Sequence, residues 1–103
     1  MAYYRPDGIE AFSTDDGGFD LLMTRRGRMY TRHVGPEDFV TQIEAGIILR
    51  PQVSRVAVFK WIQAKKLKAD KVNGVSMIQL PRLRVFAAKY GYGLAEPDQG
   101  LYG

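Results

Sequence analysis

Residues 53–86 read VSRVAVFKWIQAKKLKADKVNGVSMIQLPRLRVF, and the periodicity of this stretch decides the fold class. Ser54 is a candidate N-cap, because its hydroxyl can satisfy one of the orphan amides at a helix start. Val58, Trp61 and Ile62 then recur at helical spacing, with Arg55, Phe59, Lys60 and Gln63 on the other faces. That helix should end near Ala64-Lys65. Lys68–Val72 and Val75–Leu80 flank Asn73-Gly74, a strong hairpin signal, since a type I′ turn needs positive φ at both central residues. Pro81 opens a last helix in which Leu83, Phe86, Ala87 and Tyr90 face the core, and Gly91-Tyr92-Gly93 stops it.

Upstream, Gly35-Pro36-Glu37-Asp38 marks a helix start, with proline and acids in the first turn. Phe39, Val40, Ile43, Ile47 and Ile48 lie at helical spacing, so a helix is expected from about 37 to 49. Arg50-Pro51-Gln52 ends it, because proline disfavours helical geometry at the residue before it. Earlier still, Pro6-Asp7-Gly8 and Asp15-Asp16-Gly17-Gly18 are turn signals around a short strand at Ile9, Ala11 and Phe12. Phe19–Arg25 and Arg28–Val34 read as two strands about Arg26-Gly27. The expected class is α+β, with three helices. Residues 1–36 form an N-terminal β-hairpin extension or small meander, 37–93 the helical domain, and 94–103 a flexible tail. No internal repeat is visible.

A chain of 103 residues, 46% hydrophobic and 25% charged, suits one globular domain with a modest core. The absence of cysteine removes disulfides, thiolate catalysis and cysteine-ligated zinc. No apolar run approaches the roughly 18 residues of a membrane span, and MAYYRPDGIE lacks a signal-peptide core, so a cytoplasmic protein is expected. The net charge of +4 hides an asymmetry: residues 1–38 carry −2, residues 39–93 carry +8, and residues 94–103 carry −2. Ten cations against Glu44 and Asp70 in one segment is either a solvated face or the footprint of a polyanionic partner.

Catalysis finds little support in these residues. There is no nucleophile–histidine–acid set, paired-carboxylate signature or glycine-rich phosphate loop, so no enzyme, cofactor, metal or small-molecule substrate is expected. The single histidine, His33, reads as structural. Asp15-Asp16-Gly17-Gly18 lacks the alternating ligands of a calcium loop and reads as a turn.

The order helix, turn, helix, basic hairpin, helix over residues 40–90 resembles the winged helix-turn-helix of phage excisionases and MerR-type regulators. The matching residues are Leu49, Val53-Ser54-Arg55, Val58-Phe59-Lys60-Trp61-Ile62, Lys66-Leu67, Val72-Asn73-Gly74, Ile78 and the helix from Pro81. Three features depart from that family. Arg50-Pro51-Gln52 is two residues longer than the usual glycine turn, Lys65 stands where the family has glycine, and Val75-Ser76-Met77 carries no arginine. The resemblance implies a small bacterial or phage DNA-binding protein, a transcriptional regulator or an excisionase-like architectural factor. In that family the helix at Ser54 enters the major groove and the hairpin, or wing, rides on the backbone. A homodimer or cooperative assembly on DNA would follow, with the N-terminal hairpin as the candidate self-contact.

Within this reading Arg55 is the candidate for base readout, since a guanidinium can pair bidentately with guanine. Gln52 and Ser54 meet bases or phosphate, though a serine such as Ser54 is more often merely a cap, and Lys60 touches backbone. Lys65, Lys66, Lys68 and Lys71 are candidate phosphate contacts, Asn73 sits at the wing tip, and Arg82 and Arg84 either flank the DNA or sit in water. Trp61 reads as core. Arg25, Arg26, Arg28, Tyr30 and Arg32 form a second basic-aromatic cluster, open to nucleic acid or neutralised by Asp15, Asp16 and Asp20. The alternative function is a protein–protein adaptor reusing the same fold, for example on polymerase or in phage packaging.

Overall fold

A computed structural model describes residues 9–97; the expected turn at Pro6-Asp7-Gly8 and residues 98–103 of the expected tail lie outside them. Strands β1 (Ile9–Ser13), β2 (Phe19–Arg25) and β3 (Arg28–Val34) make an antiparallel sheet in the order β1-β2-β3, a meander. Alternation explains the sheet: Phe19 and Leu21 are buried while Asp20 between them is exposed. Arg26 and Gly27 both take positive φ (52° and 75°), as a two-residue hairpin turn requires. At the base of the meander a Cβ on Gly18 would lie 1.9 Å from the carbonyl oxygen of Val34, so only glycine fits.

The next segment corrects the expected helix over 37–49. Phe39–Val40 form a short strand, β4, and the helix α1 spans only Gln42–Ile48. The reason is a capping box: Thr41 Oγ1 accepts from the Glu44 amide at 3.1 Å, and Glu44 Oε1 accepts from the Thr41 amide at 2.9 Å. Pro36 and Asp38 belong instead to a turn, in which the Gly35 amide donates to Asp38 Oδ2 at 2.8 Å. Ile43, one of the apolar residues at helical spacing, is 46% exposed.

After α1 comes β5 (Leu49–Arg50), followed by a cis Arg50–Pro51 bond. Helix α2 spans Arg55–Gln63, capped as expected by Ser54, whose Oγ accepts from the Ala57 amide at 3.2 Å. The segment leading into α2 lies close against α1 at Gly46, where an added Cβ would sit 2.3 Å from the Val53 carbonyl oxygen. Lys65 ends the helix with φ 61°, a left-handed position that glycine fills at lower cost. The hairpin follows as β6 (Asp70–Val72) and β7 (Val75–Gln79), shorter than expected, with Asn73 at φ 51° and Gly74 at φ 81°. Helix α3 spans Leu80–Tyr90, with proline in its first turn and Gly91 at φ 80° after its end.

Strand β7 pairs with both β4 and β6, so the hairpin is anchored to the segment before α1. The expected flexible tail is corrected up to Pro97. Gly93–Leu94 form β8, paired with β5, the Ala95 amide donates to the Ile48 carbonyl at 2.8 Å, and the Ser13 amide donates to the Glu96 carbonyl at 3.0 Å. Burying Ala95 accompanies these bonds.

A single apolar cluster joins the elements, with Phe19 and Leu21 from the meander meeting Ile48, Val58, Ile78 and Leu83. Each such side chain contributes about 1.5–3 kcal/mol when fully removed from water. Trp61, expected in the core, packs on its edge against Phe86 (centroids 4.7 Å apart) and Tyr92 (5.4 Å). Tyr90, also expected inside, is 40% exposed and covers Phe86 from without. Over the described residues the result is a small α+β domain of three helices and antiparallel sheets. Among the described residues no helix is long and apolar enough to cross a membrane.

Candidate nucleic-acid interface

Helix α2 turns Val58 fully inward and half-buries Trp61 and Ile62, which leaves Arg55, Val56, Phe59, Lys60 and Gln63 exposed. Those five positions are spaced as one face of a helix. The face therefore mixes two cations and an amide with two apolar side chains, Val56 and Phe59. Such a mixture can donate to base edges and also bury a thymine methyl. Ser54 stands at its start, and its hydroxyl hydrogen stays free to donate while the oxygen caps the helix. Gln52 is only half exposed, and its Nε2 donates to the Ile47 carbonyl at 3.4 Å, so it braces the segment before α2.

Apart from Arg84, the other candidates divide into three groups. Lys71 and Asn73 are exposed on the β6–β7 hairpin, beside an exposed Val75. Lys65 is exposed at the end of α2. Lys66, Lys68 and Arg82 come together with Lys89 around a groove of about 320 Å³ between the segment after α2 and the outer side of α3. Lys89 was visible in the sequence only as charge. Its spacing from Arg82 and Val85 on α3 was the signal for a shared face.

Arg84 points elsewhere. Its Nη2 donates to the Gly17 carbonyl, and its guanidinium lies 5.3 Å from the centroid of the Phe19 ring. Arg50 is likewise internal, donating to the Ile47 and Leu49 carbonyls and, at 3.2 Å, to that of Ala11.

The N-terminal cluster is also split. Arg26, Arg28 and Tyr30 are exposed, whereas Arg32 pairs with the buried Glu44 and donates to the Phe39 carbonyl at 3.0 Å. Asp16 and Asp20 do not neutralise those arginines. They grip His33, with Nδ1 2.7 Å from Asp20 and Nε2 2.7 Å from Asp16. Hydrogen bonds to Asp20 and then Asp16 raise the His33 pKa. The Thr14 hydroxyl, the Gly18 amide and His33 together lower Asp16 to about 2. The imidazole lies between its carboxylates, so the three do not converge on one point, and among the described residues no group of three or more ligands could hold a metal ion.

Comparison with models of protein families, with curated proteins and with solved structures finds no match to this chain.

Proposed function

We propose that this protein binds duplex DNA as a winged helix-turn-helix, with α2 as the helix presented to the major groove and the β6–β7 hairpin as its wing. The observation that carries this reading is the exposed face of α2. Arg55, Val56, Phe59, Lys60 and Gln63 lie outward on a helix whose inner face is seated on the core, within a segment of net charge +8. Phosphate contacts fix the register of such a protein, and Lys60 and Lys71 are suited to them. Arg55 is suited to base readout. A transcriptional regulator or an excisionase-like architectural factor would use this surface in the same way. Small modules of this kind gain affinity by pairing across half-sites or assembling along DNA. The meander, with Met29 and Tyr30 exposed on β3, is the proposed self-contact.

The test is duplex binding by fluorescence anisotropy across a salt titration, using a randomised-site library and then its best sequence. Arg55→Ala should flatten base preference, by about 1–3 kcal/mol of discrimination at the contacted position. Lys71→Ala should weaken every sequence alike and reduce the log–log salt slope by about one. Arg84→Ala should leave that slope unchanged, because its guanidinium already serves the Gly17 carbonyl.

A second reading is favoured by one feature, the exposure of Val56 (52%) and Phe59 (43%) on the same helix face. An adaptor would bury both against a protein partner. It requires no duplex binding at about 100 mM salt and a partner whose affinity falls on Phe59→Ala.

A further inference from the structure

The groove beside α3 differs in kind from the face of α2. Lys66, Lys68, Arg82 and Lys89 rim it, and among the described residues no acidic one lines it. Between them the lining is apolar: the buried Leu67 and Phe86, the half-buried Pro81 and the exposed Val85. Val85 is 68% exposed, an unusual position for a β-branched aliphatic side chain on a helix with only eleven residues. The lysines are not loose at this site. Lys66 and Lys89 lie 5.9 and 5.6 Å from the centroid of the Tyr90 ring, which itself packs 4.7 Å from Phe86. The Tyr90 ring therefore lies within cation–π range of two of the rim cations, beside an apolar trough.

From this the geometry points to a docking groove for an acidic segment of a partner protein, one in which carboxylates flank one or two large apolar side chains. Charge complementarity selects the acids, because four cations with no ion-pair partner among the described residues can each gain one on binding. The apolar surface offered by Val85 and Pro81 favours a peptide over nucleic acid, since a phosphate backbone has nothing to bury there. The site is an open trough walled by exposed side chains, which suits a segment laid along α3 better than an enclosed small molecule. The site is separate from the α2 residues assigned to DNA, so a protein could be held here by a chain whose α2 is occupied.

Selection of a random displayed peptide library on the immobilised full chain tests this, followed by anisotropy of the strongest labelled peptide. Enriched peptides should carry clustered Asp or Glu around Leu, Ile, Phe or Trp. Val85→Asp and Arg82→Glu should each weaken binding by about tenfold or more, while Arg55→Ala should leave it unchanged. Both substituted side chains are exposed, and unchanged thermal unfolding of the variants confirms that the fold is intact. Failure of any peptide to enrich, enrichment without acids, or indifference to both groove variants would overturn the proposal. So would a loss of duplex affinity on Val85→Asp as large as the loss of peptide affinity, which would give the groove to nucleic acid. Loss of duplex binding by Arg55→Ala alone bears on the α2 reading and not on this one.

Discussion

In the meander, charge meets charge. Asp16 and Asp20 close on His33, and Arg32 closes on Glu44. In the helical half the opposite holds, since Lys60, Lys65, Lys66, Lys68, Lys71 and Lys89 are all exposed and none takes part in an ion pair among the described residues. Arginine divides the labour between the two regions. Arg32 reaches from β3 to α1, Arg50 from β5 to β1, and Arg84 from α3 to the turn before β2. A planar guanidinium with several donors can satisfy two carbonyls, or a carbonyl and a carboxylate, where an ammonium on a flexible stem cannot do so at fixed geometry. The comparison teaches that this chain's usable positive charge is far more local than its +4 implies. Three cations are spent on joining the regions, and the lysines remain as free charge together with Arg55 and Arg82.

The strongest way to break that comparison is to ask whether the two regions unfold together. Gly18→Ala in the meander and Gly46→Ala in α1 each drive a Cβ into a backbone carbonyl, at 1.9 and 2.3 Å, which no rotamer relieves. Each should cost about 3 kcal/mol or more. Because Phe19 and Leu21 share one core with Ile48 and Leu83, both variants should shift a single urea transition seen by far-UV circular dichroism and by Trp61 fluorescence. Loss of the meander in Gly18→Ala with the Trp61 transition unmoved would make the strands an appendage.

A smaller effect separates the arginines from the lysines. Arg32→Ala leaves the Glu44 carboxylate, 5% exposed as a residue, with only its amide partner, and should cost about 2 kcal/mol. Arg50→Ala and Arg84→Ala remove hydrogen bonds to carbonyls and should cost about 1 kcal/mol each. Lys60→Ala and Lys66→Ala should fall within about 0.5 kcal/mol of the parent. Equal costs for the two residue types in chemical unfolding would dissolve the distinction.

Local chemistry was the legible part of the sequence. Asn73-Gly74, the Ser54 cap, Gly91 and the alternation at Phe19–Leu21 each act within a few residues, and each was readable before any coordinates. The misread segment, 37–49, fails for a definable reason. Phe39 and Val40 fit a helical stripe, but their partner strand, β7, lies almost forty residues on, and such pairing leaves no local mark. Thr41-x-x-Glu44 was the overlooked signal of the true helix start. The same limit hid the pairing of β8 with β5, since LAEP has the composition of a tail. At the candidate site, the exposed face of α2 followed from periodicity. That Lys66 and Lys68 would meet Arg82 and Lys89, and that Arg84 would turn to Gly17, depended on how α3 packs.

The meander's own charge cluster gives the finest test, through pH. His33 is raised by its bonds to Asp20 and Asp16, so the stabilisation it supplies is complete below its ordinary value of 6.5 and is lost as pH climbs through the raised one. Asp16 is lowered from 3.8 to about 2, so its share is complete above 3.8 and is lost as pH falls towards 2. The two conditions overlap between those ordinary values, where protonated His33 sits beside an ionised Asp16. His33→Gln keeps hydrogen-bonding capacity but cannot take up the proton. The melting temperature of the parent should therefore exceed that of His33→Gln most at about pH 5–6, and the gap should narrow by about pH 9. Because the three side chains are solvent-exposed, this gap should be the smallest of these effects and should shrink further in high salt. A gap that stays constant across that range would mean that His33 holds the meander by hydrogen bonding alone, and the pairing of charge with charge would then be confined to Arg32 and Glu44.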